Sequence, residues 1–489
     1  MYTNPVITGF AADPSICKGA DGYYLVTSTF TYFPGISVFF SQDLLSWKQV
    51  GNAIPTPEDI DFAGEDVNGG IWAPTIRYYE GEYYVCAAVE KKGNLITHTK
   101  DPAGTWAKPV WVEIGGIDPS LFFENGKAYF CTNDWSDGMP GIRLGVVDPK
   151  TGETLEHFSC IYRGNGGGWL EAPHIYHIGE YYYLLAAEGG TYSGHMEIAA
   201  RSRNLYGPYE SCPLNPILTN RADTSKAISC TGHGDLIQAE SGQYYMVHLG
   251  CRPGALAISS LGRETFLSPI KWENGWPVVP GGMATLQNDD PCLSDADQKK
   301  TVLLDDFTQD AWPVFWKFRG NSCNNMKRGN GALTISLSKR ETKAFAYVRQ
   351  PDLFFTCRVV LDTGKLSLTE GAFIGLTLYL SDSFYVLWGI RVKEGQCRLV
   401  LEQQADDLKI CHEDVMWDAQ GPVRLRIIGE DRKYRFGAER AALPLQEKTL
   451  SARFLSPSVM DRGFTGTMVG VGILGEEYDS GSFCCMEIG

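Results

Sequence analysis

A short pattern of apolar and polar residues recurs five times in the first 250 residues of the chain. Each copy is a glycine followed by a run of aromatic and β-branched residues, and the copies begin at Gly22, Gly81, Gly126, Gly179 and Gly242. A glycine turn leading into such a run is typical of a β-hairpin. The copies lie 45 to 63 residues apart with no amphipathic helical stretch between them. Repeats of this length predict a β-propeller of five four-stranded blades.

A second shared segment precedes each glycine. The five segments are Asp13–Ile16, Ala73–Ile76, Asp118–Leu121, Ala172–Ile175 and His233–Leu236. In a propeller the innermost strand of every blade lines the central channel, so equivalent positions form a ring at one end of it. The predicted ring contains Asp13, Asp118 and His233, and Trp72 and Glu171 stand one residue earlier in their segments.

The repeat stops after about residue 282, and a polar, acidic stretch follows. Beyond it, apolar and alternating runs at 372–379, 384–388 and 467–471 predict a second all-β region. The sequence therefore predicts an all-β chain with three parts. These are a five-bladed β-propeller at 1–285, a linker at 286–303, and a jelly-roll-like β-sandwich at 304–489.

Composition narrows the classes of partner. The net charge of −15 argues against nucleic acid or an anionic membrane, because both require a basic face. No run of 18 apolar residues is present, and the first residues lack the basic and apolar regions of a signal peptide. The 14 scattered cysteines contain no C-x-x-C and are typical of reduced thiols, so we expect a cytoplasmic protein.

The three carboxylates Asp13, Asp118 and Glu171 suggest a catalytic function. Converging carboxylates raise one another's pKa, and glycoside hydrolysis needs one protonated acid and one ionised carboxylate around the scissile bond. Two other interpretations stay open at this point: Asp-Pro pairs that cap turns, and a calcium ion held near the propeller axis.

Six motifs, in order along nearly the whole chain, resemble glycoside hydrolase family 43, and in particular its two-domain β-xylosidases and α-L-arabinofuranosidases. The motifs are Asn4–Val6, Gly9–Ser15, Thr27–Phe30 with Phe33–Gly35, Gly116–Ser120, Glu171–His174 and Leu261–Thr265. The resemblance implies a five-bladed propeller with a C-terminal sandwich, and hydrolysis with inversion at the anomeric carbon. An inverting pair of carboxyls is separated by roughly 6.5–9.5 Å, which leaves room for a water molecule.

The resemblance also implies roles for individual residues. Asp13 matches the general base, Glu171 the general acid and Asp118 the residue that orients and tunes the acid. Arg263 matches a substrate-contacting arginine and His233 the channel histidine. Four aromatic residues are assigned to the sugar pocket: Phe30, Phe33 and Trp72 as its walls, and Phe464 as a residue that closes it. For each wall residue, the alternative is a place in the blade core.

We therefore expect an exo-acting, inverting enzyme that releases terminal xylose from β-1,4-xylo-oligosaccharides. An α-L-arabinofuranosidase acting on arabinoxylan fragments is the first alternative, and a non-catalytic carbohydrate-binding propeller is the second. The expected partners are xylo- or arabinoxylo-oligosaccharides, and no cofactor is required. The sequence leaves open a calcium ion near the axis and assembly into a homo-oligomer.

Overall fold

A computed structural model of the chain describes residues 1–56, 60, 62, 65–225, 227–252, 259–293, 302–320, 322–417, 421–440, 443–444 and 447–489. The contacts divide the chain into two compact units. One comprises Met1–Ala257 with Arg263–Lys299, and the other Ile258–Gly262 with Lys300–Gly489. Within the linker predicted at 286–303, residues 294–301 lie outside the described residues, and the predicted domain limits stay predictions.

The regular secondary structure of the first unit is almost entirely β-strand. In chain order they are β1 Tyr2–Thr3, β2 Ser15–Lys18, β3 Tyr23–Thr27, β4 Tyr32–Phe33, β5 Gly35–Ser41, β6 Lys48–Ile54, β7 Ile71–Tyr79, β8 Glu82–Val89, β9 Gly93–Thr99, β10 Val110–Val112, β11 Ile117–Glu124, β12 Lys127–Asp134, β13 Gly141–Val147, β14 Thr154–Tyr162, β15 Glu171–Ile178, β16 Tyr181–Glu188, β17 Met196–Ser202, β18 Glu210–Ser211, β19 Ser229–Gln238, β20 Tyr244–Cys251, β21 Glu264–Glu273, β22 Trp276–Val278 and β23 Gln287–Asn288.

Five antiparallel four-stranded sheets confirm the predicted propeller. Their strand orders are β2-β3-β5-β6, β7-β8-β9-β10, β11-β12-β13-β14, β15-β16-β17-β18 and β19-β20-β21-β22. The repeated glycine is the turn between the first and second strand of each blade. Gly81, for example, has φ of +82° between β7 and β8, a conformation that favours glycine.

The repeated Tyr-Tyr pairs explain how the blades pack. Successive side chains of a strand point to opposite faces, so the two tyrosines of one pair enter different cores. Tyr23 packs with Tyr245 and Leu267 of the fifth blade, whereas Tyr24 packs with Tyr83 of the second blade. Each pair of neighbouring blades shares one such apolar cluster, and this accounts for much of the aromatic content.

The ring of blades closes through the first residues of the chain. β1 pairs with β23, so that Tyr2 lies opposite Asn288. The side-chain amide of Asn4 donates to the carbonyl of Leu267 at 2.8 Å, and Ile7 forms a bridge to Thr265. The N-terminal segment is therefore fastened along the fifth blade before the chain enters the first.

The second unit is a sandwich of two antiparallel sheets. Its strands are β24 Leu303–Asp305, β25 Lys317–Arg319, β26 Met326–Gly329, β27 Ala332–Ser336, β28 Lys343–Arg349, β29 Phe354–Ser367, β30 Phe373–Ser381, β31 Phe384–Lys393, β32 Gln396–Ala405, β33 Leu408–Met416, β34 Val423–Glu430, β35 Lys433–Arg440, β36 Leu443–Pro444, β37 Lys448–Ser451, β38 Met468–Leu474 and β39 Ser480–Ile488. One sheet has the order β26-β27-β39-β29-β34-β35-β36, and the other contains β33-β32-β31-β30-β38-β28-β25.

The apolar faces of the two sheets form one core, with Trp316, Trp388 and Phe436 among its largest members. This confirms the predicted sandwich. The helical segments of the described residues are short 3₁₀ turns at Pro280–Gly282, Ser322–Asn325, Arg453–Leu455 and Pro457–Val459. No helix found in these residues has the length and apolarity to cross a membrane.

Candidate active site

The ring residues occupy an irregular stretch near the start of the innermost strands. The pairing register shifts between Ile117 and Ser120, between Glu171 and His174, and between Gly232 and Asp235. The residue at each irregularity has a left-handed backbone: φ is 52° at Asp118, 54° at Ala172 and 55° at His233, and Asp13 has φ of 54° just before β2. Such backbone strain is typical of functional sites.

Asp13 is the most tightly held of the three carboxylates. It is buried, and Arg263 donates to both of its oxygens, with 2.6 Å from Nη1 to Oδ1 and 3.3 Å from Nη2 to Oδ2. The hydroxyl of Ser28 donates to Oδ2 at 2.6 Å, and Nδ1 of His233 lies 3.8 Å from Oδ1. This carboxylate thus has a fixed orientation at the mouth of the channel.

Hydrogen bonds to the backbone of the two residues adjacent to Glu171 fix its position. The side chain of Asn133 donates to the carbonyl of Leu170, and the backbone N–H of Ala172 donates to the carboxylate of Asp118. The side chain of Glu171 stays 14% exposed. Asn133 and Asp118 both belong to the third blade, so the start of β15, where Glu171 lies, is hydrogen-bonded to that blade.

The pKa shifts in the site indicate which carboxyl can act as an acid. Burial raises the pKa of Glu171 well above its usual value, and the charges of Asp118 and Asp13 raise it further. Burial also raises the pKa of Asp118 to about 6, with His233 and Arg263 opposing and Asp13 assisting. The site therefore favours a protonated Glu171 beside an ion-paired Asp13, which is the asymmetry that acid–base catalysis requires.

Further along the same strands lies a second charged network. Arg77 of β7 donates to Asp235 of β19, with 2.8 Å from Nη1 to Oδ2 and 3.1 Å from Nη2 to Oδ1. Burial alone raises the pKa of Asp235, but the charges of Arg77 and His174 and the hydrogen bonds from Arg77 and Ser15 together outweigh it, and the pKa lies below its usual value. Ser15 and Tyr176 also donate to this carboxylate, so the network joins four blades.

The aromatic residues assigned to the sugar pocket lie in different surroundings. Phe30 is buried, and the Arg263 guanidinium carbon lies 5.8 Å from the centroid of its ring. Trp72 is half-buried at the start of β7, and its indole N–H donates to the Asn68 carbonyl at 3.1 Å. Phe33 stacks on Phe62 in the core shared by the first two blades. The structure therefore brings Phe30 to the arginine of the site, and the assignments of Phe33 and Trp72 stay predictions.

Phe464 belongs to the second unit, in the segment before β38. The guanidinium carbon of Arg462 lies 5.3 Å from the centroid of its ring. Its assignment as a residue that closes the sugar pocket stays a prediction.

Comparison with known proteins decides the family. The model of glycosyl hydrolases family 43 matches residues 2–277, and residues 304–487 match the β-xylosidase C-terminal concanavalin A-like domain. The chain belongs to glycosyl hydrolase family 43. It is a glycosidase, and the resemblance drawn from its six motifs is confirmed.

Relatives of this family 43 glycosidase carry two kinds of name. The chain is 35% identical over 485 residues, 96% of its length and 90% of the relative's, to a non-reducing end α-L-arabinofuranosidase of Bacteroides ovatus. It is 35% identical to a β-xylosidase of Bacillus subtilis over 315 residues, which cover 60% of the chain and 59% of that relative. The crystal structure of a xylan β-1,4-xylosidase from Bacillus halodurans matches all of both chains, with a TM-score of 0.91 and 25% identity.

Some neighbours of the family 43 site were not found by sequence reasoning. Thr191 accepts a hydrogen bond from Nη1 of Arg263 at 2.9 Å, and His195 lies 3.9 Å from Glu171. Both belong to the loop between β16 and β17, outside the repeated segments. One feature of the sequence could have indicated this loop, namely that it follows the second strand of a blade. Because the second strand runs antiparallel to the first, it ends beside the residues at which the first strand begins.

Within the described residues, no three His, Cys, Asp or Glu side chains are grouped to hold a metal ion. Near the axis, Asp13 is paired with Arg263 and Asp235 with Arg77. The calcium ion left open by the sequence stays a prediction.

Proposed function

We propose that this family 43 glycosidase is an exo-acting, inverting β-xylosidase that releases terminal xylose from β-1,4-xylo-oligosaccharides. The observation that carries the proposal is the contrast between two carboxyls of one ring. Glu171 has a raised pKa and is available as an acid, whereas Asp13 is ion-paired with Arg263 and available as a base. Asp118 tunes the acid through its charge and through its hydrogen bond with the N–H of Ala172.

The proposed reaction is a single displacement. A water molecule gives one proton to Asp13 and attacks the anomeric carbon, while the bond from that carbon to the leaving oxygen breaks. Glu171 gives its proton to the leaving oxygen, so that the products are one terminal sugar of inverted configuration and a shortened oligosaccharide. The step replaces one C–O bond by another and transfers two protons with no change of oxidation state, so no cofactor forms part of the proposal.

The choice of xylose is supported by the C-terminal domain, since residues 304–487 match a domain described as that of β-xylosidases. An α-L-arabinofuranosidase is the second candidate. It is supported by the Bacteroides ovatus relative, whose similarity extends over 96% of this chain. A cytoplasmic location fits short oligosaccharides that are imported before they are cleaved, and it stays an expectation.

The proposal is tested with nitrophenyl β-xyloside and nitrophenyl α-L-arabinofuranoside, each with the wild-type chain and with Asp13→Asn. We expect turnover of the xyloside that is lost in Asp13→Asn, measured at a temperature where circular dichroism shows that both proteins are folded. Preference for the arabinofuranoside would select the second candidate. Binding of xylo-oligosaccharides without turnover by the wild-type chain would contradict both and favour a carbohydrate-binding propeller.

A further inference from the structure

The loop between β16 and β17 places a histidine beside the acid of the site. His195 is fully buried, and its Nε2 lies 3.9 Å from Oε1 of Glu171. The same loop supplies Thr191, whose hydroxyl accepts a hydrogen bond from Arg263. This loop therefore meets the carboxylate ring at two points, one beside the proposed base and one beside the proposed acid.

The orientation of the His195 ring is fixed by its surroundings. Nδ1 lies 2.9 Å from the carbonyl oxygen of Cys230, which can only accept, so Nδ1 carries a hydrogen. Gly232 packs against the ring, and a Cβ at this position would lie 2.8 Å from ring atoms. Thr219 donates to the backbone carbonyl of His195 at 2.8 Å. The ring therefore has one orientation, in which Nε2 points towards Glu171.

Nε2 of this ring is a bare acceptor. Burial lowers the pKa of His195 to about 3, and the charges of His233 and Arg263 act in the same direction. Within the part of the chain that the structure describes, Nε2 has no hydrogen-bond partner. A buried acceptor without a donor is unfavourable, and a carboxyl group offers a donor only when it is protonated. A movement of about 1 Å brings Glu171 within hydrogen-bonding distance.

We propose that neutral His195 is a positioning residue for the acid: its Nε2 accepts the hydrogen of the protonated Glu171 carboxyl and favours that form between turnovers. The proposal rests on the function proposed above, in which Glu171 is the acid. In this role His195 acts through Glu171 alone.

The proton balance of a turnover shows when this contact matters. During bond cleavage the O–H bond of Glu171 breaks and a new O–H bond forms on the leaving oxygen. Glu171 is left as a carboxylate, whose Oε1 then faces the lone pair of Nε2, and two acceptors repel each other. Glu171 regains a proton from solvent and the contact becomes favourable again, while His195 stays neutral throughout.

Other charged groups also act on Glu171, and they come from several parts of the first unit. Three carboxyls raise its pKa and one guanidinium lowers it. His233 of β19 acts on His195 as well. The four groups around Glu171 are Asp13 before β2, Asp118 of β11, Glu197 of β17 and Arg263 before β21. All of them are retained when His195 alone is replaced, so a change in the pH profile reports the histidine.

The test is the pH profile of kcat/KM for His195→Asn on xylobiose, or on an arabinofuranosyl disaccharide if the enzyme takes that sugar. Asparagine keeps an N–H for the Cys230 carbonyl but is too short to reach Glu171. We expect the alkaline limb to move to lower pH by about 0.5–1 unit, since one hydrogen bond to the neutral acid is lost. The acid limb should stay in place.

His248→Asn is the matched control. His248 is also fully buried, but both of its ring nitrogens are bonded, to the Leu249 carbonyl and to the Ser268 hydroxyl at 2.9 Å each. This variant should keep the wild-type profile. His195→Phe, which retains the ring shape without Nε2, gives a second measurement if the asparagine variant does not fold.

An alkaline limb that stays in place in both His195 variants would overturn the proposal, and so would an equal loss of rate at every pH. Glu171→Gln separates this failure from failure of the proposed function. If it abolishes xylobiose hydrolysis while the His195 variants keep the wild-type profile, the acid assignment stands and the role of His195 falls. If Glu171→Gln keeps its activity, the acid assignment itself is wrong.

Discussion

Arg263 donates to both carboxylate oxygens of Asp13, although 250 residues separate the two positions in the chain. The planar fork of a guanidinium matches the two oxygens of a carboxylate, so the contact fixes the plane of Asp13 as well as its position. Ser28 donates to one of the same oxygens. The geometry of the proposed base therefore depends on the fifth blade as much as on the first.

Replacement of Arg263 tests this dependence. Lysine keeps the charge but cannot bond both oxygens, so we expect Arg263→Lys to lower kcat/KM on the accepted nitrophenyl glycoside about 100-fold. Arg391→Lys is the control, because Arg391 forms an equivalent two-point contact with Glu402 in the sandwich. It should leave kcat/KM unchanged. A similar loss in both variants would indicate general destabilisation instead.

The acid assignment of Glu171 predicts a dependence on the leaving group. We expect Glu171→Gln to lower kcat on xylobiose by about 100- to 10,000-fold, since the sugar leaving group needs a proton. The loss on dinitrophenyl xyloside should be far smaller, because that leaving group departs as an anion. Steady-state kinetics on the two substrates measures the contrast, and equal losses on both would contradict the acid role.

The raised pKa of Asp118 predicts that the stability of the fold depends on pH. Its pKa is raised from 3.8 to about 6 in the folded chain, so the unfolded chain holds fewer protons between these values and stability falls as the pH rises through them. Asp118→Asn cannot ionise and escapes this loss. We expect its Tm to exceed that of the wild type by about 2–4 °C at pH 8, with the difference gone at pH 4.

Asp137→Asn serves as the control of opposite sign for this measurement. The hydrogen bonds from Arg163 lower the pKa of Asp137, so its contribution to stability is present above its unfolded pKa and lost at low pH. This variant should lower Tm at pH 8. A lower Tm for Asp118→Asn at pH 8 would contradict the raised pKa.

The charged network around Arg77 and Asp235 contains none of the proposed catalytic residues. We expect its disruption to lower the stability of the fold strongly. Asp235→Asn leaves Arg77, whose side chain is 15% exposed, without its counter-charge, and we expect the free energy of unfolding to fall by about 3–5 kcal/mol. The double variant Arg77→Met with Asp235→Leu removes both charges and should lose less than the single variant. Urea unfolding at pH 7 measures all three proteins. A double variant at least as unstable as Asp235→Asn would contradict the ion-pair explanation.

The sequence repeat was sufficient to predict the propeller because each blade contains its own glycine turn and aromatic strand. It also predicted which positions share one end of the channel, and Asp13, Asp118 and His233 do occupy equivalent left-handed positions. Glu171 stands one residue earlier, and its neighbour Ala172 takes the left-handed conformation instead. The sequence shows this offset, but it does not reveal the irregular pairing between Glu171 and His174 in the fourth blade.

The residues that sequence reasoning missed share a physical cause. His195 and Thr191 lie in a loop outside the repeated segments, and their contacts depend on how the second strand of the fourth blade ends. Arg77 and Asp235 do lie in repeated strands, but on different blades, 158 residues apart. Their pairing exists only after five strands converge on one axis, which hydrophobic periodicity does not describe.

The closure of the ring has a consequence for a chain that is still being synthesised. A ribosome that has released only four blades has already delivered Asp13, Asp118 and Glu171, yet Arg263 and the strand that fastens the N-terminal segment are still to come. The partner that orients the base is thus among the last parts of the first unit to emerge. An unfinished or truncated chain therefore carries all three acids without the arginine that orients the base.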